Sequence, residues 1–175
     1  MINHLEQKQP IQLIQQNYLL RFLVPLATRE TRELFEEALQ RNQATELPIR
    51  MLFGHAVDAM TAADVGLVAS GTASLEAALL KRPMVITYRI GKWQYRLMKR
   101  MAYLPWVGLP NILCQESLVP ELLQDEATPD KLAAALEAWL NEPERCAALE
   151  RRFTALHLTL RQNTAHKAAE AILPY

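Results

Sequence analysis

The stretch Asp64-Val65-Gly66-Leu67-Val68-Ala69-Ser70-Gly71-Thr72-Ala73-Ser74-Leu75-Glu76 constrains this chain more than any other. A short apolar run with β-branched residues ends at Ser-Gly-Thr, and Ala-Ser-Leu-Glu-Ala-Ala-Leu-Leu follows. The first part reads as a strand buried in a parallel sheet, the second as the opening turns of a helix. The turn between them then lies at the carboxyl end of a strand and the amino end of a helix. Open α/β sheets bind ligands there, because unpaired helix N–H groups and the helix dipole both favour an anion.

Spacing adds a second element. Residues four apart share a helix face, so Glu76 lies one turn below Thr72, while Leu75 and Leu79 fall on another side suited to packing on the sheet. N–H groups and a hydroxyl suit a diphosphate. A carboxylate, which only accepts hydrogen bonds, suits the paired hydroxyls of a ribose. Glu76 would equally serve to complement the helix N-terminus. A capping box is disfavoured, since Ala73 stands three residues before it.

The rest of the chain supplies alternating strands and helices. Met1 to Gln16 reads as helical, Tyr18 to Val24 as a strand, Thr28 to Gln40 as an amphipathic helix and Ile49 to Phe53 as a second strand. A short helix from Ala56 to Ala63 leads to the central strand. Lys81-Arg82-Pro83 stops the next helix, and Met84 to Tyr88 forms a fourth strand. A helix from Gly91 to about Tyr103, a short fifth strand from Trp106 to Leu109, and helices Glu116 to Gln124, Pro129 to Trp139 and Pro143 to His157 follow, with Thr164 to Ile172 as the last segment. Such alternation specifies a parallel sheet covered on both faces. The 175 residues, half of them hydrophobic, fit one Rossmann-like α/β domain, with 143–175 as its C-terminal helical segment. One feature is out of order: a doubly wound half opens on its own central strand, whereas this chain opens inside a helix. The sheet is therefore expected to lack a middle member, leaving unpaired backbone groups.

No apolar run approaches the roughly 20 residues needed to cross a bilayer, and no signal peptide is evident. Cys114 and Cys146 are isolated and fit a reducing, cytoplasmic setting. Neither they nor the histidines stand at metal-ligand spacing, so no metal or other cofactor is expected. Zero net charge argues against general nucleic-acid binding. It hides a segregation, however. Between Glu76 and Glu116 there is no acidic residue, while Lys81, Arg82, Arg89, Lys92, Arg96, Lys99 and Arg100 all fall there. Such a local basic field fits an anionic ligand, a phospholipid surface or simply a solvated face.

Other candidates carry two readings each. Asn111, in Leu109-Pro110-Asn111, follows an expected strand end on the same rim as Ser70. Its amide suits a sugar or phosphate, though an Asx turn explains it as well. His55 could reach a base or phosphate, or be a loop residue without a role; His157 and His166 read as packing or surface positions. Ser70 is no nucleophile elbow, because G-x-S-x-G is absent. On the helix after Gly91, Lys92, Arg96, Lys99 and Arg100 cluster on one side and Trp93, Leu97, Met98, Met101 and Leu104 on the other. Either the apolar side packs on the sheet, or part of it stays exposed and meets a membrane surface.

Several ordered motifs together resemble the carboxy-terminal half of the lipid-A-disaccharide synthase family of bacterial glycosyltransferases. They are Ala69-Ser70-Gly71-Thr72-Ala73-Ser74-Leu75-Glu76, Lys81-Arg82-Pro83-Met84-Val85, Tyr88-Arg89, Val107-Gly108-Leu109-Pro110-Asn111-Ile112-Leu113 and Val119-Pro120-Glu121-Leu122-Leu123-Gln124. Ala127 to Leu136, and Phe153 with Leu156 and His157, also match, so the resemblance runs from about Phe22 onward.

The resemblance implies a GT-B architecture, two Rossmann-like domains across a cleft, of which this chain is the carboxy-terminal one. It implies UDP-2,3-diacylglucosamine as donor and 2,3-diacylglucosamine 1-phosphate (lipid X) as acceptor, giving lipid A disaccharide 1-phosphate and UDP without a metal. The setting implied is peripheral, on the cytoplasmic face of the inner membrane. Carried over, Ser70, Gly71 and Thr72 would meet the UDP diphosphate, Glu76 the ribose, and Asn111 would line the donor pocket. No catalytic base is identified in this half. The amino-terminal domain and the family's Leu-Pro-Gly-Ser-Arg segment, at the first strand of this domain, have no counterpart here. The chain is thus expected to be a donor-binding fragment, inactive alone. Another UDP-sugar enzyme on the same scaffold, such as an epimerase, and a non-catalytic membrane-surface module are the alternatives.

Overall fold

The computed structural model describes residues 20–101 and 103–172; the expected helix Met1 to Gln16 and the strand start at Tyr18 lie outside them. Apolar, β-branched runs become short strands: β1 (Phe22–Leu26), β2 (Ile49–Phe53), β3 (Gly66–Ala69) and β4 (Met84–Tyr88), joined by β5 (Glu121–Leu123). Between them lie α1 (Arg29–Arg41), α2 (Ala56–Ala62), α3 (Thr72–Leu79), α4 (Lys92–Met101) and α5 (Leu109–Cys114). α6 (Pro129–Asn141), α7 (Pro143–Leu160) and α8 (Thr164–Ile172) complete the order. Caps fix several boundaries. Thr28 accepts from the Thr31 N–H while Thr31 returns the bond, starting α1, and Thr128 followed by Pro129 starts α6.

All strand pairings are parallel, as the alternation requires. They form two sheets among the described residues, β1-β2 and β3-β4-β5. Phe22 lies opposite Ile49 and Leu26 opposite Phe53; Gly66 lies opposite Met84, and Ile86 opposite Glu121. The Phe22 N–H donates to Pro48 O at 3.0 Å and the Gly66 N–H to Pro83 O at 2.9 Å. Even-numbered residues of β1 and β3 therefore direct their backbone groups at their partners. Leu23 and Pro25, and Leu67 and Ala69, direct theirs at the opposite edges, where no described strand pairs. Pro25, with no N–H to donate, falls on such an open side.

The core sits on the larger sheet. Met84, Val85 and Ile86 are all fully buried, so both faces of β4 are covered. Phe153 of α7, Val119, Leu132 and Trp139 complete the cluster, and Trp139 Nε1 donates to the Met84 carbonyl at 3.1 Å. Ala77 and Ala78 bring α3 close to the sheet. This corrects one expectation: the buried face of α3 is Ser74, Ala77 and Ala78, whereas Leu75 and Leu79 are only half-buried. Small residues allow the closer approach.

Two further expectations give way. Trp106 to Leu109 is not a strand: the Val107 and Gly108 N–H groups donate to the Glu121 carboxylate, and Pro110 opens α5. Glu116 to Gln124 is not a helix: Val119 precedes Pro120 and is held extended, and the chain then pairs with β4. Pairing along the sheet edge overrides the helical propensity of Glu-Leu-Leu-Gln.

Candidate functional site

The turn Ser70-Gly71-Thr72 joins β3 to α3 at the carboxyl rim of the sheet. Gly71 has φ of +139°, a conformation that L side chains rarely adopt, and a Cβ there would meet nothing within 4 Å. Backbone shape, not space, requires the glycine. Gly71 is also the N-cap of α3, so no side chain caps the first turn. The Thr72 and Ala73 N–H groups have no partner within the helix. The Ser74 hydroxyl turns back to the Gly71 carbonyl at 2.7 Å and is buried.

Thr72, Ala73 and Glu76 form the exposed side of α3, so the hydroxyl, the first-turn N–H groups and the carboxylate share one accessible face. That face can take an anion at its top and hydroxyl donors one turn lower.

Ser70 differs from its neighbours. Its hydroxyl donates to the Val107 carbonyl at 3.0 Å, a tie across 37 residues of sequence. Its hydrogen is therefore committed within the protein. Asn111 is fully buried inside α5. Its Nδ2 donates to Val119 O at 2.9 Å and to Glu121 Oε1 at 2.8 Å; its Oδ1 accepts from the Leu118 and Val119 N–H groups at 2.9 and 3.1 Å. This is neither a rim loop nor an Asx turn. The amide's hydrogen-bonding capacity is used inside the protein.

Glu121 is the residue the sequence reading passed over. Its Oε2 accepts from the Val107 N–H at 2.8 Å, and its Oε1 from Gly108 N–H at 3.0 Å and from Asn111. The available signal was a lone carboxylate in the short apolar run Val-Pro-Glu-Leu-Leu, where an unpaired charge is costly. Gly108 permits the close approach, since a Cβ there would lie 2.3 Å from Ile86 Cδ1.

The histidines divide. His55, at φ of +54° before α2, pairs with Asp58 at 2.8 Å and is exposed. His157 Nδ1 lies 2.7 Å from Lys81 Nζ, against the end of α3, and His166 pairs with Glu170. Burial pushes both thiols up, partly offset by Arg152 for Cys114 and by Arg145 for Cys146, so neither is a poised nucleophile. Among the described residues no cluster of acidic, histidine or cysteine side chains could hold a metal ion.

On α4, Trp93 is 82% exposed, with the Arg96 guanidinium 6.0 Å from its ring centroid. Arg100 is exposed too. The side chains of Lys92, Leu97, Met98 and Lys99 lie outside the described ones. Among the described residues no helix is long and apolar enough to cross a membrane.

A parallel sheet with an uncapped strand-to-helix turn on its carboxyl rim defines the class: Rossmann-like α/β domains. Within that class, residues 2–173 match the lipid-A-disaccharide synthetase family. Curated relatives include lipid-A-disaccharide synthases of Azoarcus sp. (strain BH72), 81% identical over 88% of this chain and 39% of the relative, and of Dechloromonas aromatica (strain RCB), 64% identical over 87% of the chain and 40% of the relative. That of Neisseria meningitidis serogroup B is 50% identical over 87% of the chain and 40% of the relative. The chain belongs to the lipid-A-disaccharide synthase family, and it spans about two fifths of the length of these relatives.

Proposed function

We propose that this chain is the donor-binding half of a lipid-A-disaccharide synthase. The whole enzyme would transfer 2,3-diacylglucosamine from UDP-2,3-diacylglucosamine to lipid X, giving lipid A disaccharide 1-phosphate and UDP. The observation that carries the reading is the uncapped first turn of α3 with Thr72 and Glu76 on its open side. The Gly71 to Ala73 backbone and the Thr72 hydroxyl would receive the diphosphate, and Glu76 the ribose hydroxyls. Fixed N–H groups there would stabilise the charge that develops on departing UDP. The base that deprotonates the acceptor would come from the amino-terminal domain, so this half alone is inactive. Asn111 and Ser70 would shape the pocket from behind, since their side-chain hydrogens are engaged within the protein.

UDP titrated calorimetrically into the complete protein, both halves present, tests the reading. Binding is expected to weaken about tenfold in Glu76→Ala, the loss of a charged hydrogen-bond acceptor. Affinity unmoved by that change would remove the ribose role. Product analysis with lipid X separates the transferase from an epimerase on the same scaffold.

A second reading concerns where the enzyme works. Exposed Trp93 beside Arg96 and Arg100 supports α4 as a contact to the cytoplasmic face of the inner membrane, where acylated substrates reside. Lys92 and Lys99 belong to the same stripe by sequence. Sedimentation with anionic liposomes at low salt tests it: no binding, or binding unchanged by Trp93→Ala, ends the idea.

A further inference from the structure

We propose that Glu121 is a positioning residue of the rim: its carboxylate fixes the two peptide groups on either side of Val107, and through the Val107 carbonyl it fixes Ser70 and the turn that opens α3. The inference rests on the donor-site reading for its functional meaning, but its geometry stands apart from any ligand.

The chain of contacts is continuous. Glu121 projects from β5, two strands away from β3. Its Oε2 takes a single donor, the Val107 N–H, while its Oε1 takes two, from Gly108 N–H and Asn111 Nδ2. Val107 O, in the peptide group that also carries the Gly108 N–H, accepts the Ser70 hydroxyl. Ser70 is in turn paired through its N–H with Thr87 O at 3.1 Å, immediately before the glycine whose left-sided φ sets the helix entry. A charge half-buried in a short apolar strand is retained because three N–H donors converge on it. Both carboxylate oxygens are engaged within the protein, so Glu121 acts through Val107 and Ser70.

The asymmetry of the donors makes a sharp variant available. In Glu121→Gln the amide oxygen can replace Oε1 and keep both of its donors, which leaves the amide NH₂ facing the Val107 N–H. Donor then meets donor, and relieving that clash pushes the whole Val107 backbone away, including the carbonyl that holds Ser70, although the amide oxygen still accepts from Gly108 and Asn111. A control lies on the next loop. With its amide oriented to satisfy both groups, Gln124 donates to Ile90 O at 3.0 Å and accepts from Ile90 N–H at 3.1 Å, so Gln124→Ala loosens that loop and leaves Ser70 alone.

Two measurements on the complete protein test the proposal. Without ligand, hydrogen exchange at the Ser70 amide is expected to speed up at least about tenfold in Glu121→Gln and to match wild type in Gln124→Ala. With UDP, affinity is expected to fall about tenfold in Glu121→Gln, and the Ser70→Ala, Glu121→Gln double variant to bind no worse than the poorer single, because both cut one tie. Unchanged Ser70 exchange overturns the inference whatever UDP does. Additive losses in the double variant overturn it as well, since they leave Glu121 a general stabiliser. Faster Ser70 exchange in a protein that binds no UDP upholds the positioning and sinks the donor-site reading instead.

Discussion

The two sheets are built from the same kinds of residue, yet they are finished to different degrees. Around β3-β4-β5, Met84, Val85, Ile86, Val119 and Phe153 have almost no exposed surface. Around β1-β2 no strand residue is buried; Phe53 is 55% exposed, and Leu34 and Val57 are similar. Leu67, whose backbone groups point away from β4, is 49% exposed as well. Hydrophobic patterning thus tells which face of an element wants cover, and only neighbouring chain decides whether it is covered. The uncovered apolar faces here are those next to the open strand edges.

The largest test of this contrast is a pair of matched truncations. Phe153→Ala removes a fully buried ring and is expected to cost about 3–5 kcal/mol in urea unfolding, whereas Phe53→Ala should cost less than about 1 kcal/mol because most of the ring never leaves water. Equal costs would mean that the β1-β2 half is covered in solution. Next comes Asn111→Ala, which strands the Leu118 and Val119 N–H groups; about 2–4 kcal/mol should be lost in the same assay.

Trp139→Phe keeps a buried ring but removes the bond to the Met84 carbonyl and part of the ring volume and of the surface that Arg145 covers, so a loss of about 1–2 kcal/mol is expected. The smallest effect belongs to the open half. Thr28→Ala removes the cap of α1 at a cost of about 1 kcal/mol. Since little else holds that helix, the loss should appear as faster amide exchange confined to α1, with the unfolding of β3-β4-β5 unmoved. A shift shared by both halves would show that they unfold as one unit.

Strands with clear punctuation were legible in the sequence. Ile49 to Phe53 and Met84 to Tyr88 lie where periodicity and flanking turns put them, and so does the helix that begins at Thr72. Residues 106–124 were not legible. Their conformation is set by side-chain bonds between segments distant in sequence: Asn111 to Val119 and Glu121 to Val107 and Gly108. Local propensity carries no trace of such ties. Of the candidate site, the exposed face of Thr72 and Glu76 followed from helical spacing, whereas the buried amide of Asn111 and the tethered hydroxyl of Ser70 needed the fold.

The backbone groups at Leu23 and Pro25 on one sheet, and at Leu67 and Ala69 on the other, have a consequence beyond architecture. Among the described residues each row lacks a neighbouring strand and is flanked by exposed apolar side chains, and any polypeptide with an extended segment can supply one. At high concentration the readiest supplier is another copy of the same chain. Left without a neighbouring strand, the two rows favour self-association, and a strand inserted between them would quench it.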